Sequence, residues 1–539
     1  MNRITKQISL VFIILFIAAP CVFAATEESG DQSWQIRGRS ETLLEWQDVS
    51  GNTGSSLDEG STWRQELSIA LQKQIEKGQM GLDLRGRATN NEQVDNRDAR
   101  LMYLRGFYRT EKLHLEMGDV AASYNPMVLS TSARGAKVGY QIGDRDKGWD
   151  LGLIGGLQKA SWEEVYDSSS DESVDRYVAG GNATWNHAPA QSVGASVSFL
   201  KDDSSSVVGG STLGTDPAEA KTAGVEWNWR FNRYLNIRGE TAYNQNDLNT
   251  SDSTDDDDAG AIRIKVYTKP IPRALRVNFL YERLETDFKP VIASASADRE
   301  RFENDTEWMI SREFKARLTL KHSQDNLDGA LGDTLTTRDA VLYLTYRPDW
   351  MKRGDFGLRM QGKRSSGRGS DQNIQIIAVD FNNRPKSGWR YGTSYIVTLI
   401  DDNAASAENQ QIDTLRGTLG WKKRLTDDHM VRATVTLDGN FVNKDSGDQV
   451  GLGGRIDCGY DAGNLWSMDL FASTKNNEND FTADTQYITY QFRTDYHPGS
   501  DRSKSIRLSA ERREYESDDA TTDQDYQEHL VKLAYLFTF

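Results

Sequence analysis

Apolar and polar residues alternate along most of this chain, and the alternating runs are long. From Trp34 to Gln47 one set of alternate positions reads Trp34, Ile36, Gly38, Ser40, Thr42, Leu44, Trp46, and the other reads Gln35, Arg37, Arg39, Glu41, Leu43, Glu45, Gln47. Side chains of a β-strand point alternately to its two faces, so one face here is apolar or small and the other is mostly polar. Trp63 to Ile75 repeats the pattern, with Trp63, Leu67, Ile69, Leu71 and Ile75 opposing Arg64, Glu66, Ser68, Gln72 and Gln74. In Met80 to Ala88, Met80, Leu82, Leu84, Gly86 and Ala88 oppose Asp83, Arg85 and Arg87. A soluble β-sandwich also alternates. Its strands run to about 5–6 residues, whereas these runs often reach 11 to 15, and their polar face carries charges in every case. Strands of this kind meet lipid on one side and water on the other. Trp34 and Trp46 lie twelve residues apart on one face. At the usual rise and barrel tilt this places one indole at each membrane interface, roughly 30 Å apart.

The connections carry a second rhythm. Long polar stretches (49–62, 89–98, 160–174, 202–220, 246–259, 287–299, 325–336 and 515–525) alternate with short turns near Lys77-Gly78, Glu111, Asn232, Arg312 to Lys315, Lys386 and Asp461 to Asn464. Outer-membrane barrels have longer extracellular loops and short periplasmic turns. Strict alternation predicts about 26 strands, 13 outer loops and 12 inner turns. An even count leaves both termini in the periplasm. The expected fold is all-β, a single large transmembrane antiparallel up-and-down β-barrel over 34–539. No linker, soluble periplasmic domain, plug domain or repeat beyond the hairpin rhythm is expected.

The first residues read as a targeting segment. Arg3 and Lys6 precede the apolar run LVFIILFIAA, and Val22 and Ala24 meet the small-residue rule, which predicts a signal peptide over 1–24 and a short periplasmic tail over 25–33. The run is too short to span a bilayer well, and proline before Cys21 makes a poor lipidation site. Cleavage would leave one cysteine, Cys458, and hence no internal disulfide and no multi-cysteine zinc site. There is no CxxCH for haem attachment. Charged residues make up 27% of the chain, and hydropathy alone would suggest a soluble protein; a barrel escapes that test because only every second residue faces lipid. The 45 Gly, 21 Tyr, 18 Phe and 13 Trp against 10 Pro suit long strands with aromatic girdles, and the net charge of -16 argues against a nucleic-acid partner.

The last strand ends Val531, Leu533, Tyr535, Phe537, Phe539. This alternation, closing on an aromatic, resembles the C-terminal signal of bacterial outer-membrane barrels. The resemblance implies Tyr535, Phe537 and Phe539 as the assembly signal, the barrel-assembly machinery and outer-membrane lipid as partners, and the outer membrane of a Gram-negative-type cell as location.

No catalytic arrangement stands out. The six histidines form neither HExxH nor a close pair, and there is no GxSxG or Walker loop. No enzyme activity, cofactor or metal site is expected. Asp255 to Asp258 lack the spaced ligands and glycine of a calcium loop and read as a solvated tip. One segment breaks the strand rhythm: Gly118-Asp119 and Arg134-Gly135 flank a stretch, AASYNPMVLSTS, that is less polar than the other connections. The favoured reading is an ordinary outer loop with an Asp119–Arg134 salt bridge at its base; the other is a segment folded inward. The pairing resembles a motif of fimbrial ushers and other polymer-translocating barrels, although an usher's accessory domains have no counterpart here.

The candidate pore lining is Arg37, Arg39, Glu41, Glu45, Arg64, Glu66, Asp83, Arg85 and Arg87, whose mixed signs argue against a single-sign filter. A circular barrel of this size would have a backbone diameter of roughly 50 Å. An open hole that wide would breach the membrane, so the lumen is expected to be flattened, narrowed by loops or filled. The size resembles both polymer-handling barrels, such as exopolysaccharide exporters, and the sheath barrels that hold multihaem cytochromes. The leading expectation is a pore for transport or translocation of a polar solute or polymer. The alternatives are a sheath around a multihaem cytochrome or export lipoprotein, and a non-transporting scaffold.

Overall fold

The computed structural model describes residues 33–539 apart from 52–58, 96, 145, 160–161, 163–164, 166–174, 204–217, 248–249, 251–256, 291–297, 328, 330–331, 352, 404–407, 481–482, 501–502 and 519–524. The signal peptide, all but the last residue of the tail, and Asp255-Asp256 lie outside the described residues. The described chain forms 26 strands. They are β1 (Trp34–Gly51), β2 (Gly60–Ile75), β3 (Gly78–Thr89), β4 (Ala99–Thr110), β5 (Leu113–Ser123), β6 (Ser130–Asp144), β7 (Lys147–Gln158), β8 (Asp175–Ala188), β9 (Gln191–Asp203), β10 (Glu219–Asn232), β11 (Leu235–Asp247), β12 (Asp257–Ile271) and β13 (Leu275–Leu284). The second half comprises β14 (Arg299–Met309), β15 (Phe314–Asp325), β16 (Thr336–Tyr346), β17 (Gly354–Gly367), β18 (Ser370–Asn383), β19 (Trp389–Asp402), β20 (Gln410–Arg424), β21 (His429–Lys444), β22 (Gly447–Ala462), β23 (Trp466–Asn479), β24 (Thr485–Tyr496), β25 (Lys504–Ser517) and β26 (Tyr526–Thr538).

Each strand pairs antiparallel with its sequence neighbours, and β1 pairs with β26 from Arg39↔Thr538 to Gly51↔Tyr526, closing the sheet. Closure leaves no lipid-facing edge, the condition for sheet in hydrocarbon. Phe539 finishes the seam: the Gly38 N–H donates to its carbonyl at 2.7 Å, its own N–H donates to the Gly38 carbonyl at 2.9 Å, and its ring covers Gly38.

Strands run from 10 residues in β13 to 18 in β1, a wider range than the alternation implies. The loop rhythm is also less strict than expected. The outer connections β17–β18 (368–369) and β21–β22 (445–446) are two residues long, while the inner connections β16–β17 (347–353) and β24–β25 (497–503) are seven. Residues 368–369 have positive φ at both positions, +50° at Arg368 and +73° at Gly369. That is the twist-matched geometry of a tight hairpin, so a long loop is not needed to reverse the chain.

The two faces separate as the alternation predicts. One face leaves large apolar side chains uncovered: Trp34, Leu44 and Trp46 on β1, Leu82 on β3, and Leu533 and Tyr535 on β26. Near the inner turns it carries a row of packed rings, Tyr346, Phe356, Phe381 and Tyr391, with centroids 6.5, 4.9 and 5.9 Å apart. This apolar belt with an aromatic border is the lipid surface. Cys458 lies on this outward face, exposed.

Candidate functional site

The opposite, inward face is laced with ion pairs. Glu66 is the meeting point of three of the predicted lining residues. Arg85 reaches its carboxylate at 2.8 Å and Arg87 at 2.9 Å, with Arg64 at 3.8 Å. Register explains the convergence: Arg87 is the cross-strand partner of Glu66, and Arg85 is the partner of Ser68, one step along the same face. Arg39 pairs with Glu41 at 2.6 Å, Asp83 with Arg105 of β4 at 2.6 Å, and Glu45 with Lys532 of β26 at 3.1 Å across the closing seam. Arg37 shares their face and is exposed. Sequence reading missed Arg105 and Lys532, because their roles depend on which strands become neighbours.

The main departure from a plain barrel is at β5 and β6. Register between β4 and β5 runs only from Arg109↔His114 to Arg105↔Gly118, and that between β6 and β7 stops at Arg134↔Leu157. β5 and β6 nonetheless stay paired to each other up to Ser123↔Ser130. Residues 119–133 therefore leave the wall as a hairpin whose strand register is with itself alone. Its neck is the GD…RG motif. Gly118 and Gly135 are register partners; Gly118 has φ +101°, and a Cβ on either glycine would overlap a backbone oxygen, of Leu104 and Gly155 respectively. Only glycine tolerates both the conformation and the approach. Asp119 lies 3.6 Å from Arg134 and accepts hydrogen bonds from the Leu104 N–H at 2.6 Å and from Trp162 Nε1 at 2.7 Å. Arg134 in turn donates to the Lys159 carbonyl and stacks over Trp162.

The hairpin tip is buried, which corrects the favoured expectation of an ordinary outer loop. Met127, Val128 and Leu129 have no exposed surface and join a cluster with Val178, Leu200, Ala220, Ala242, Leu284 and Phe288. The tip is a tight turn in which Asn125 accepts from the N–H groups of Met127, Val128 and Leu129, each at 2.9 Å. It fits because the inward face of β8 to β10 is built of small residues: Leu129 lies over Gly180, Val128 over Gly224, and Ser198 Oγ donates to the Val128 carbonyl at 2.8 Å. A projecting polar wall would leave no seat. The apolar character of PMVL supplies the driving force, at roughly 1.5–3 kcal/mol for each large side chain buried. The signal in the sequence was the run of glycine, serine and alanine at inward positions of β8 to β11, readable only once the parity of each strand is known.

What this arrangement can do is narrow the passage from one side, with an element carried by the barrel's own chain, over a wall whose charges are largely paired. No family model and no characterised protein matches the sequence. Among solved structures the chain is similar to the P pilus usher translocation pore PapC, at 11% identity over 94% of this chain and 100% of that one, TM-score 0.37. It is also similar to OpdQ of Pseudomonas aeruginosa, at 10% identity over 94% and 98%, TM-score 0.28. For the siderophore receptor PirA of Pseudomonas aeruginosa the values are 11% over 95% and 81%, TM-score 0.40. The closed antiparallel wall, its apolar outer belt and its aromatic terminal strand make this chain a bacterial outer-membrane β-barrel.

Proposed function

We propose that the chain is an outer-membrane pore that translocates a polar solute or polymer, and that the hairpin 119–133 is its internal constriction. The observation that carries this reading is the complete burial of Met127, Val128 and Leu129 against the inner wall, on a seat of small residues that fits them. A scaffold has no use for a docked luminal element. A pore of this strand number needs one to keep the membrane tight. Many of the charges on the wall are held by partners across strands, so a hydrated solute passes without meeting a row of one sign.

The test is conductance of the purified, folded barrel in a planar bilayer, before and after residues 121–131 are replaced by an Asn-Gly turn. The expected result is a small conductance that rises several-fold on removal, with weak ion selectivity in both states. Absence of conductance in both, in protein that retains heat-modifiable gel mobility, overturns the pore reading and favours a scaffold.

A further inference from the structure

Six strands along the wall from β10 of the hairpin's seat, a groove of about 560 Å³ runs along β16 beside the periplasmic mouth; the β14–β15 turn and Arg347 form its lower end. Its construction follows from register. Arg317, Tyr343 and Arg359 are cross-strand partners on β15, β16 and β17, and Lys321, Asp339 and Lys363 form a parallel row four residues on. The groove therefore has an aromatic and aliphatic floor, Tyr343 and Val341, between two cationic rims. The rims are not equivalent. On β15, Lys315, Arg317 and Lys321 each face a carboxylate of β14, with Glu307 at 3.0 Å, Asp305 at 2.7 Å and Glu303 at 3.6 Å. On β17, Arg359 is held by the Gln361 amide and lies over the edge of the Tyr343 ring, 5.8 Å from its centroid, and its Nε has no hydrogen-bond partner among the described residues. Asp339, the acid of the floor, already accepts from Gln361 at 2.9 Å. In a chain of net charge -16, a guanidinium on a luminal rim with no carboxylate among its contacts offers a site for an anionic ligand.

Resting on the pore reading, we propose that this groove is the entry site for an acidic polysaccharide, a linear chain of carboxylated sugars lying along β16. The carboxylates meet Arg359 and Lys363, where a guanidinium can engage both oxygens at once. The C–H face of a sugar ring packs on the Tyr343 ring, which is 40% exposed and lies between the two guanidinium groups of its row. A ring polymer presents its carboxylates from a stiff backbone. An acidic polypeptide would have to order a flexible side chain for each contact.

The experiment uses the full-length barrel and three probes added from the periplasmic side: oligogalacturonate, neutral maltooligosaccharide and polyglutamate. Oligogalacturonate is expected to block the current, with neutral sugar inert and polyglutamate weaker. Arg359→Gln and Lys363→Gln should each weaken the block by about tenfold, as loss of a charge-assisted contact implies. Tyr343→Ala should weaken oligogalacturonate far more than polyglutamate, while Tyr343→Phe retains the block. Equal block by neutral sugar, or variants indistinguishable from the parent, overturns the site. Polyglutamate binding as tightly as oligogalacturonate overturns the sugar assignment. If the barrel does not conduct, the pore reading falls on its own, and calorimetry of the detergent-solubilised protein decides the groove. Oligogalacturonate binding that the Arg359 and Lys363 variants abolish supports it, and no binding overturns it.

Discussion

The Asp119 carboxylate lies 3.6 Å from the Arg134 guanidinium, and the two residues are register partners at the point where β5 and β6 leave the barrel wall. The same carboxylate accepts the Leu104 N–H, the group that β4 would otherwise present to a neighbouring strand. The pair therefore fastens the neck of the hairpin and finishes the edge that the hairpin vacates.

Asp119→Ala should release both. The loss of hydrogen bonds to a charged acceptor is worth about 1.5–3 kcal/mol each, and the hairpin should then undock. The readout is limited proteolysis at the tip together with larger current fluctuations in the bilayer; Asp119→Asn should be milder. A tip as protected as in the parent, with unchanged currents, would show that the neck is not the fastening. Leu129→Ala approaches the same equilibrium from the seat, at about 2–5 kcal/mol for a buried leucine.

Gly118→Ala probes backbone geometry rather than charge. With φ at +101° and the Leu104 oxygen where the new methyl would stand, neither rotation nor side-chain movement relieves the clash. The expected outcome is lower folded yield and a lower unfolding midpoint, by more than the roughly 1 kcal/mol typical of a point mutant. Gly362→Ala is the control, since its Cβ meets open space. Equal behaviour of the two variants would refute the strained neck.

Face parity makes an asymmetric prediction on one strand. Leu82→Arg and Leu84→Arg place a charge in lipid and should each cost about 2–4 kcal/mol near mid-bilayer. Arg85→Leu should cost much less, because Glu66 keeps Arg87 at 2.9 Å. Denaturant titrations of the refolded barrel in lipid measure all three. Equal losses on both faces would invert the assignment of lumen and lipid.

Topology is checked by labelling in a Cys458→Ser background. Ser446→Cys, in the two-residue β21–β22 turn, should react with an impermeant maleimide on whole cells. Arg233→Cys, between β10 and β11, should react only after the outer membrane is opened. The opposite pattern would turn the barrel over.

Removing Phe539 should slow assembly, measured as heat-modifiable folded fraction over time. The deletion removes the hydrogen-bond pair with Gly38 and the ring that covers it, at the last step of closure between β26 and β1. Normal assembly kinetics would separate the terminal aromatic from the closing step.

The alternation of Trp34 to Gln47 is a local property, since strand side chains reverse face at every residue. A single sequence therefore sufficed for the architecture, the strand number, the alternation of an apolar and a charged face, and even the pairing of Asp119 with Arg134. The terminal run through Tyr535, Phe537 and Phe539 was legible for the same reason. Loop length was a weaker guide, because Arg368 and Gly369 reverse the chain in two residues through backbone conformation alone. What only the tertiary structure decided lies between strands far apart in sequence. Leu129 is buried because Gly180 and Gly224 leave room on β8 and β10, and Tyr343 lies between Arg317 and Arg359 because three strands share one register. Parity says which face a residue occupies; cross-strand register, summed around the barrel, says what it meets there.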